Sequence, residues 1–143
     1  HSYSSAASDV YKRQPKRQEK KLLPSLLVAI GGALGALGRY GIGQVVQAGN
    51  LPVATLVVNV TGSFLIGVLL ATFDESQWFQ DWGKYLVTVG MLGGFTTFSS
   101  FSLETLELIR VGELWTALGY VISTVIICVL GVFIGAKLGG VFN

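Results

Sequence analysis

Residues 90–102 read GMLGGFTTFSSFS, inside a stretch otherwise apolar enough to cross a membrane. Gly93-Gly94, Thr96-Thr97, Ser99, Ser100 and Ser102 are interleaved there with Phe95, Phe98 and Phe101. In hydrocarbon every backbone polar group must be satisfied, so irregular backbone survives only where it lines a cavity, holds an ion or faces other protein. A glycine pair loosens the backbone, and paired β-branched threonines resist regular helix. The stretch therefore predicts a helix broken in mid-membrane. Carbonyls near Gly93 and Thr96 would lose their partners four residues on. Free carbonyl oxygens at membrane depth are ligands for a hard cation, with no carboxylate needed.

The rest of the chain fits a membrane setting. It has 143 residues, 51% hydrophobic and 13% charged, with mean hydropathy +0.61. That is too apolar and glycine-rich for an ordinary soluble domain. A helical span needs about 20 apolar residues. Four segments qualify: Leu22–Val46, Pro52–Phe73, Lys84–Ile109 and Leu114–Lys137. Pro24 and Pro52 lie near helix starts, where a missing N–H matters little. Gly49-Asn50 makes the first turn, and Arg110–Glu113 the last. Asp74–Gly83 is a polar connector whose Trp78 and Trp82 suit the membrane interface. Short connections make consecutive spans antiparallel. The expected fold is an all-α membrane protein of four transmembrane helices, one domain over residues 22–140.

Residues 1–21 hold six of the ten cations and show no periodicity, which reads as a disordered basic tail. It lacks the cleavage site of a signal peptide, and a non-native origin for His1–Gln14 is open. From Leu22 on there are four cations against six carboxylates, net −2, so the overall +2 says nothing about nucleic acid. Without the tail, Lys84 and Lys137 lie on one side of the membrane and Arg39 and Arg110 on the other. Such a balance gives no preferred orientation, so the chain could insert both ways and pair with its own inverted copy. Native tail cations would instead bias the termini inward. Cys128 is the only cysteine and His1 the only histidine, which excludes an internal disulfide, a zinc site and histidine catalysis. No nucleophile–base pair points to an enzyme.

Each span has one polar or small face. Gly31 and Gly35, like Gly131 and Gly135, are small-xxx-small pairs that let backbones approach. Arg39 continues the first pair, so it faces protein or snorkels from the helix end. Thr55, Asn59, Ser63 and Gly67 recur every fourth residue. Asn59 is either interhelical glue or a pore-lining donor. Phe98 and Phe101 either pack in a core or turn positive ring edges to an anion. Ser100 and Glu104 share a face beyond them. Tyr120, Thr124 and Cys128 fall at i+4 with Ser123 alongside, as a donor track or as backbone-bonded hydroxyls.

Gly93–Ser102 resembles the GG-x-TTFSTF signature of the bacterial fluoride channels, the CrcB/Fluc family. Thr55–Phe64 resembles that family's second-helix motif with its pore asparagine, and Gly35–Tyr40 its first helix. The resemblance runs from about Leu22 to Gly140, with Ser100 where threonine is common and Cys128 where a serine or small residue is often found. It implies an antiparallel, dual-topology homodimer in the bacterial inner membrane, exporting fluoride passively through two pathways. It implies a structural sodium ion at the dimer centre, held by the Gly93 and Thr96 carbonyls. Asn59, Phe98, Ser100, Phe101, Tyr120, Ser123 and Thr124 would form the fluoride pathway. Arg39 would sit near an aqueous vestibule and Glu104 near the pore end. The implied partners are fluoride, an identical subunit and the lipid bilayer.

The rival reading is a small dual-topology multidrug/proton antiporter. That chemistry needs a membrane-embedded carboxylate, and residues 22–73 contain none. A protein that merely assembles through glycine faces would need neither Asn59, Arg39 nor the broken span.

Overall fold

The computed structural model describes residues 15–46 and 51–140, with side chains from residue 22 on. It is all helical there. The order is α1 Pro15–Val45, α2 Val53–Phe73, α3 Phe79–Leu92, α4 Gly93–Phe95, α5 Phe98–Arg110 and α6 Leu114–Leu138. Four stretches are long and apolar enough to cross a membrane: Leu22–Val45, Val53–Phe73, Phe79–Arg110 and Leu114–Leu138. Large apolar side chains stay exposed along them, including Leu37, Val89, Leu103, Ile122 and Phe133, as lipid-facing residues do.

Two boundaries differ from expectation. Helical backbone begins at Pro15, within the stretch expected as tail; residues 1–14 and the Gly49-Asn50 turn lie outside the described residues. The third span begins at Phe79 rather than Lys84, so the connector shrinks to Asp74–Trp78. Polar composition suggested a longer loop. Packing overrides it, because Phe79 is fully buried and makes an edge contact with Trp78 at 5.6 Å between centroids. Ser76 closes the connector by donating to the Phe73 carbonyl at 2.6 Å.

Helix α3 is wound as a π-helix, and at its end the Gly93 N–H reaches back to the Thr88 carbonyl. Helix α4 adds one turn. The backbone then leaves the helix at Thr96 (φ −74°, ψ 153°) and Thr97 (φ −148°, ψ 115°), both extended. It resumes as α5. The α5–α6 turn uses Gly112 at φ +86°, with the Glu113 N–H returning to the Leu108 carbonyl at 2.9 Å. That left-handed cap needs a residue without Cβ strain.

The closest packing joins alternate spans. On α1, a Cβ at Gly31 would meet the Leu86 carbonyl, and one at Gly35 the Met91 carbonyl. Gly94 of α4 lies against the backbone of Gly32. These contacts advance together along both chains, so α1 and α3 run parallel. On the other side a Cβ at Gly67 would meet the Val132 carbonyl, and one at Gly135 the Phe64 carbonyl. Helices α2 and α6 are a second parallel pair. Small residues permit such approach, and lipid gives no hydrophobic drive to replace it.

Gly35→Ala and Gly135→Ala should each destabilise the protein by about 2 kcal/mol, because the new methyl meets backbone that cannot swing aside. Gly43→Ala, which meets open space, should be neutral or gain up to about 1 kcal/mol from helix propensity. Thermal unfolding in detergent compares the three.

Candidate functional site

The break between α4 and α5 is where the two helix pairs meet. An extended segment between helices strands its own N–H and C=O, and a buried unpaired group costs about 1–3 kcal/mol. Asn59 of α2 answers both. Its Oδ1 accepts from the Thr97 N–H at 2.8 Å, and its Nδ2 donates to the Thr97 carbonyl at 3.0 Å. The amide has two donor hydrogens, so one N–H of Asn59 remains for another acceptor.

Thr97 then starts α5. Its Oγ1 accepts from the Ser100 N–H at 3.1 Å, a side-chain cap on the new helix, and also donates to Ser100 Oγ at 3.1 Å. These two bonds have a consequence upstream. The N–H groups of Thr97 and Ser100 would ordinarily bond the carbonyls of Gly93 and Thr96. Both donors are engaged by side chains instead. Neither carbonyl therefore has its partner four residues on. Arg39 of α1 donates from Nε to the neighbouring Gly94 carbonyl at 3.3 Å.

A groove of about 370 Å³ opens beside the break. Asn59, Gly93, Thr96, Phe98, Phe101 and Thr124 all line it, so six of the expected site residues come together. Thr88, Thr97 and Cys128 share the wall. Phe98 is 76% exposed and Phe101 only 6%, their centroids 5.3 Å apart. Phe101 also packs on Tyr120 at 5.2 Å and joins Leu108 and Ala117 in the core. Phe101 thus packs in the core and also lines the groove, while the Phe98 ring is free to face a ligand or a partner.

Other expected site residues lie apart. Tyr120 and Ser123 line a smaller recess with Leu51, Pro52 and Thr116. Glu104 lines a wider cleft with Glu107 and Glu113. Glu104 ties three spans together: Oε1 accepts from Thr55 Oγ1 at 2.6 Å, and Oε2 from Tyr120 OH at 2.8 Å. Hydrogen bonds to a charged acceptor are the stronger kind, worth about 1.5–3 kcal/mol. Three residues outside the expected site set matter here. Thr97 carries a capping pattern, a threonine three residues before Ser100. Thr55 was visible only as part of a stripe. Thr88 bears no sequence signal at all.

An interrupted span, held by a side-chain amide beside a groove of neutral donors and aromatic rings, marks the class: a multi-pass membrane protein with a polar groove between its helices. Comparison with known proteins agrees. Residues 26–136 match the family profile described as CrcB-like protein, Camphor Resistance (CrcB). The chain belongs to that family. It is 47% identical over 118 residues to a protein of Thermus thermophilus named "Fluoride-specific ion channel FluC", covering 80% of this chain and 94% of that one. Proteins of the same name from Opitutus terrae and Francisella tularensis subsp. mediasiatica are 45% and 38% identical, each over 77% of this chain and 87% and 89% of their own lengths.

Asn59→Leu keeps much of the volume but leaves both Thr97 backbone groups unpaired. It should lower stability by about 2–4 kcal/mol, against about 1–2 kcal/mol for Thr55→Val, which removes one hydroxyl from Glu104. Denaturation in detergent ranks them; equal losses would mean the amide does not hold the break.

Proposed function

We propose that this chain is a fluoride-selective ion channel through which fluoride leaves the cell passively across the bacterial inner membrane. Its working unit in this reading is an antiparallel, dual-topology homodimer with two ion pathways and one structural sodium ion at its centre. The observation that carries the reading is the Thr96-Thr97 interruption beside a groove of uncharged donors. The family and the names of its members point the same way, toward a channel and away from an enzyme.

The chemistry suits the ion. Fluoride is small and strongly hydrated, so a path for it must replace water with several neutral donors without holding the ion too long. The groove offers the second Asn59 N–H, the Thr124 hydroxyl and the positive edges of Phe98 and Phe101. The exposed Phe98 ring and the long apolar faces suit an inverted second copy, which would close the groove. Arg39, held on the Gly94 carbonyl, would lend positive potential at one approach. Both Glu104 oxygens accept from hydroxyls, so within this chain the carboxylate ties neighbouring spans together.

The donor set also fits sodium. Gly93 and Thr96 present carbonyls whose usual partners bond elsewhere, and hard neutral oxygens suit a hard cation. Twofold symmetry would supply each carbonyl twice. Bound there, the ion would offset carbonyl dipoles brought close together and stiffen the break.

Purified protein in liposomes loaded with fluoride should release it down its gradient when the membrane potential is clamped; no release would end the channel reading. Phe98→Ile should cut the rate by about tenfold or more, a loss of at least ~1.4 kcal/mol in the barrier, with the dimer intact by cross-linking. Unchanged flux would return that ring to packing. Asn59→Asp keeps an acceptor for the Thr97 N–H but adds an anion to an anion path, and should abolish flux. Replacing sodium throughout preparation and assay by N-methylglucamine should abolish flux and lower the unfolding midpoint. Equal activity and midpoint after thorough removal would sink the central ion.

A further inference from the structure

Hydroxyls in apolar helices ordinarily donate to their own backbone, to the carbonyl three or four residues back. Thr96, Ser102, Thr105 and Ser123 do this here, at 3.0, 2.9, 2.7 and 3.2 Å. Thr88 and Thr124 do not. Among the described residues, their Oγ1 atoms are the buried side-chain polar atoms with no hydrogen-bond partner. They come from different helices, α3 and α6, yet both line the groove that holds Asn59, Phe98 and Phe101. Thr124 is only 5% exposed, so bulk water does not satisfy it. Leaving one such hydroxyl unpaired costs about 1–3 kcal/mol. Neither oxygen presents surface as it stands, but both residues line one groove, and a turn about χ1 would offer each hydroxyl to a ligand there that accepts hydrogen bonds.

Thr124 already belongs to the pathway read from sequence; Thr88 does not. Helix α6 gives the groove Thr124, Val125 and Cys128. A thiol is a weak donor, so the threonine is that wall's strong one. Thr88 supplies a second from another helix. The π-winding of α3 carries it to the groove wall, with its own carbonyl bonded by the Gly93 N–H.

We propose that Thr88 is a further ion-contacting residue, whose hydroxyl donates to fluoride as the ion passes the groove. This rests on the channel reading above and adds a donor to it. The hydroxyls of Thr88 and Thr124, on two helices, let the ion exchange one donor for another without a charged side chain that would trap it.

The test uses the full chain in sodium-containing liposomes. Thr88→Val removes the hydroxyl at nearly constant volume. Fluoride efflux should fall by about 2–10-fold, the range one hydrogen bond supplies. The unfolding midpoint in detergent should hold or rise, because an unpaired buried polar atom is gone. Thr88→Ser keeps a donor and should restore efflux to within about twofold of wild type. Unchanged efflux in Thr88→Val, equal impairment of Thr88→Ser and Thr88→Val, or a lowered midpoint in Thr88→Val would each overturn the proposal. The last would mean the hydroxyl has a protein partner. Wild-type protein that carries no fluoride removes the channel reading itself, a result distinct from conducting wild type with an indifferent Thr88.

Discussion

The structure depends on one amide. A helix interrupted between apolar neighbours strands a donor and an acceptor, and each must find a partner. Asn59 carries one of each, at the separation of a peptide group, and binds both sides of Thr97. A leucine there would leave the break unsatisfied, and an aspartate would set oxygen against oxygen. Because Asn59 takes the Thr97 N–H and the Thr97 hydroxyl takes the Ser100 N–H, two carbonyls upstream lose their helical donors. The same bonds that make the interruption tolerable thus create its chemistry.

That site needs a frame that does not move, and glycine provides it. The pairs α1–α3 and α2–α6 close to distances at which a single methyl would meet backbone at Gly31, Gly35, Gly67 and Gly135. Fewer contacts join one pair to the other, and they gather at the break and just beyond. A Cβ at Gly62 would meet the Thr96 methyl, Asn59 holds Thr97, and Glu104 gathers Thr55 and Tyr120. Tight pairs bridged by a few polar bonds put the interruption at their seam. Backbone there is covered by protein or faces a groove, the setting in which irregular backbone is stable in a membrane.

Much of this was legible in the sequence, for particular reasons. Four apolar runs of span length and the glycine spacings follow from local chemistry, and the structure has each among its described residues; the helix is interrupted at Thr96-Thr97 alone, with Gly93–Phe95 still helical. The start of the third span was not legible, since Gln80, Asp81 and Lys84 look like loop until Phe79 is seen to be buried. Asn59 was readable as glue or as a donor; that its partner is the Thr97 backbone depends on how α2 meets the break. Arg39 pointed inward as its glycine stripe implied, but its acceptor, the Gly94 carbonyl, is a tertiary fact. Thr88 was invisible, because its position on the groove follows from the winding of α3, which no residue pattern in YLVTVGML announces.

The placement of free and engaged hydroxyls carries a further consequence. A neutral donor serves a passing anion only while no better acceptor holds it. Around Glu104 the donors are held: Thr55 and Tyr120 both give their protons to the carboxylate. Ser123, nearby, gives its own to the Tyr120 carbonyl. Beside the break the reverse is true, with Thr88 and Thr124 unpaired and one Asn59 N–H to spare. An anion moving from the groove toward Glu104 would therefore meet available donors first and committed ones later. To use Tyr120 or Thr55 it must outcompete a carboxylate, which becomes easier only as that carboxylate turns toward water in the cleft it shares with Glu107 and Glu113. Uncommitted donors thus lie beside the break, and donors already committed to a carboxylate lie around Glu104.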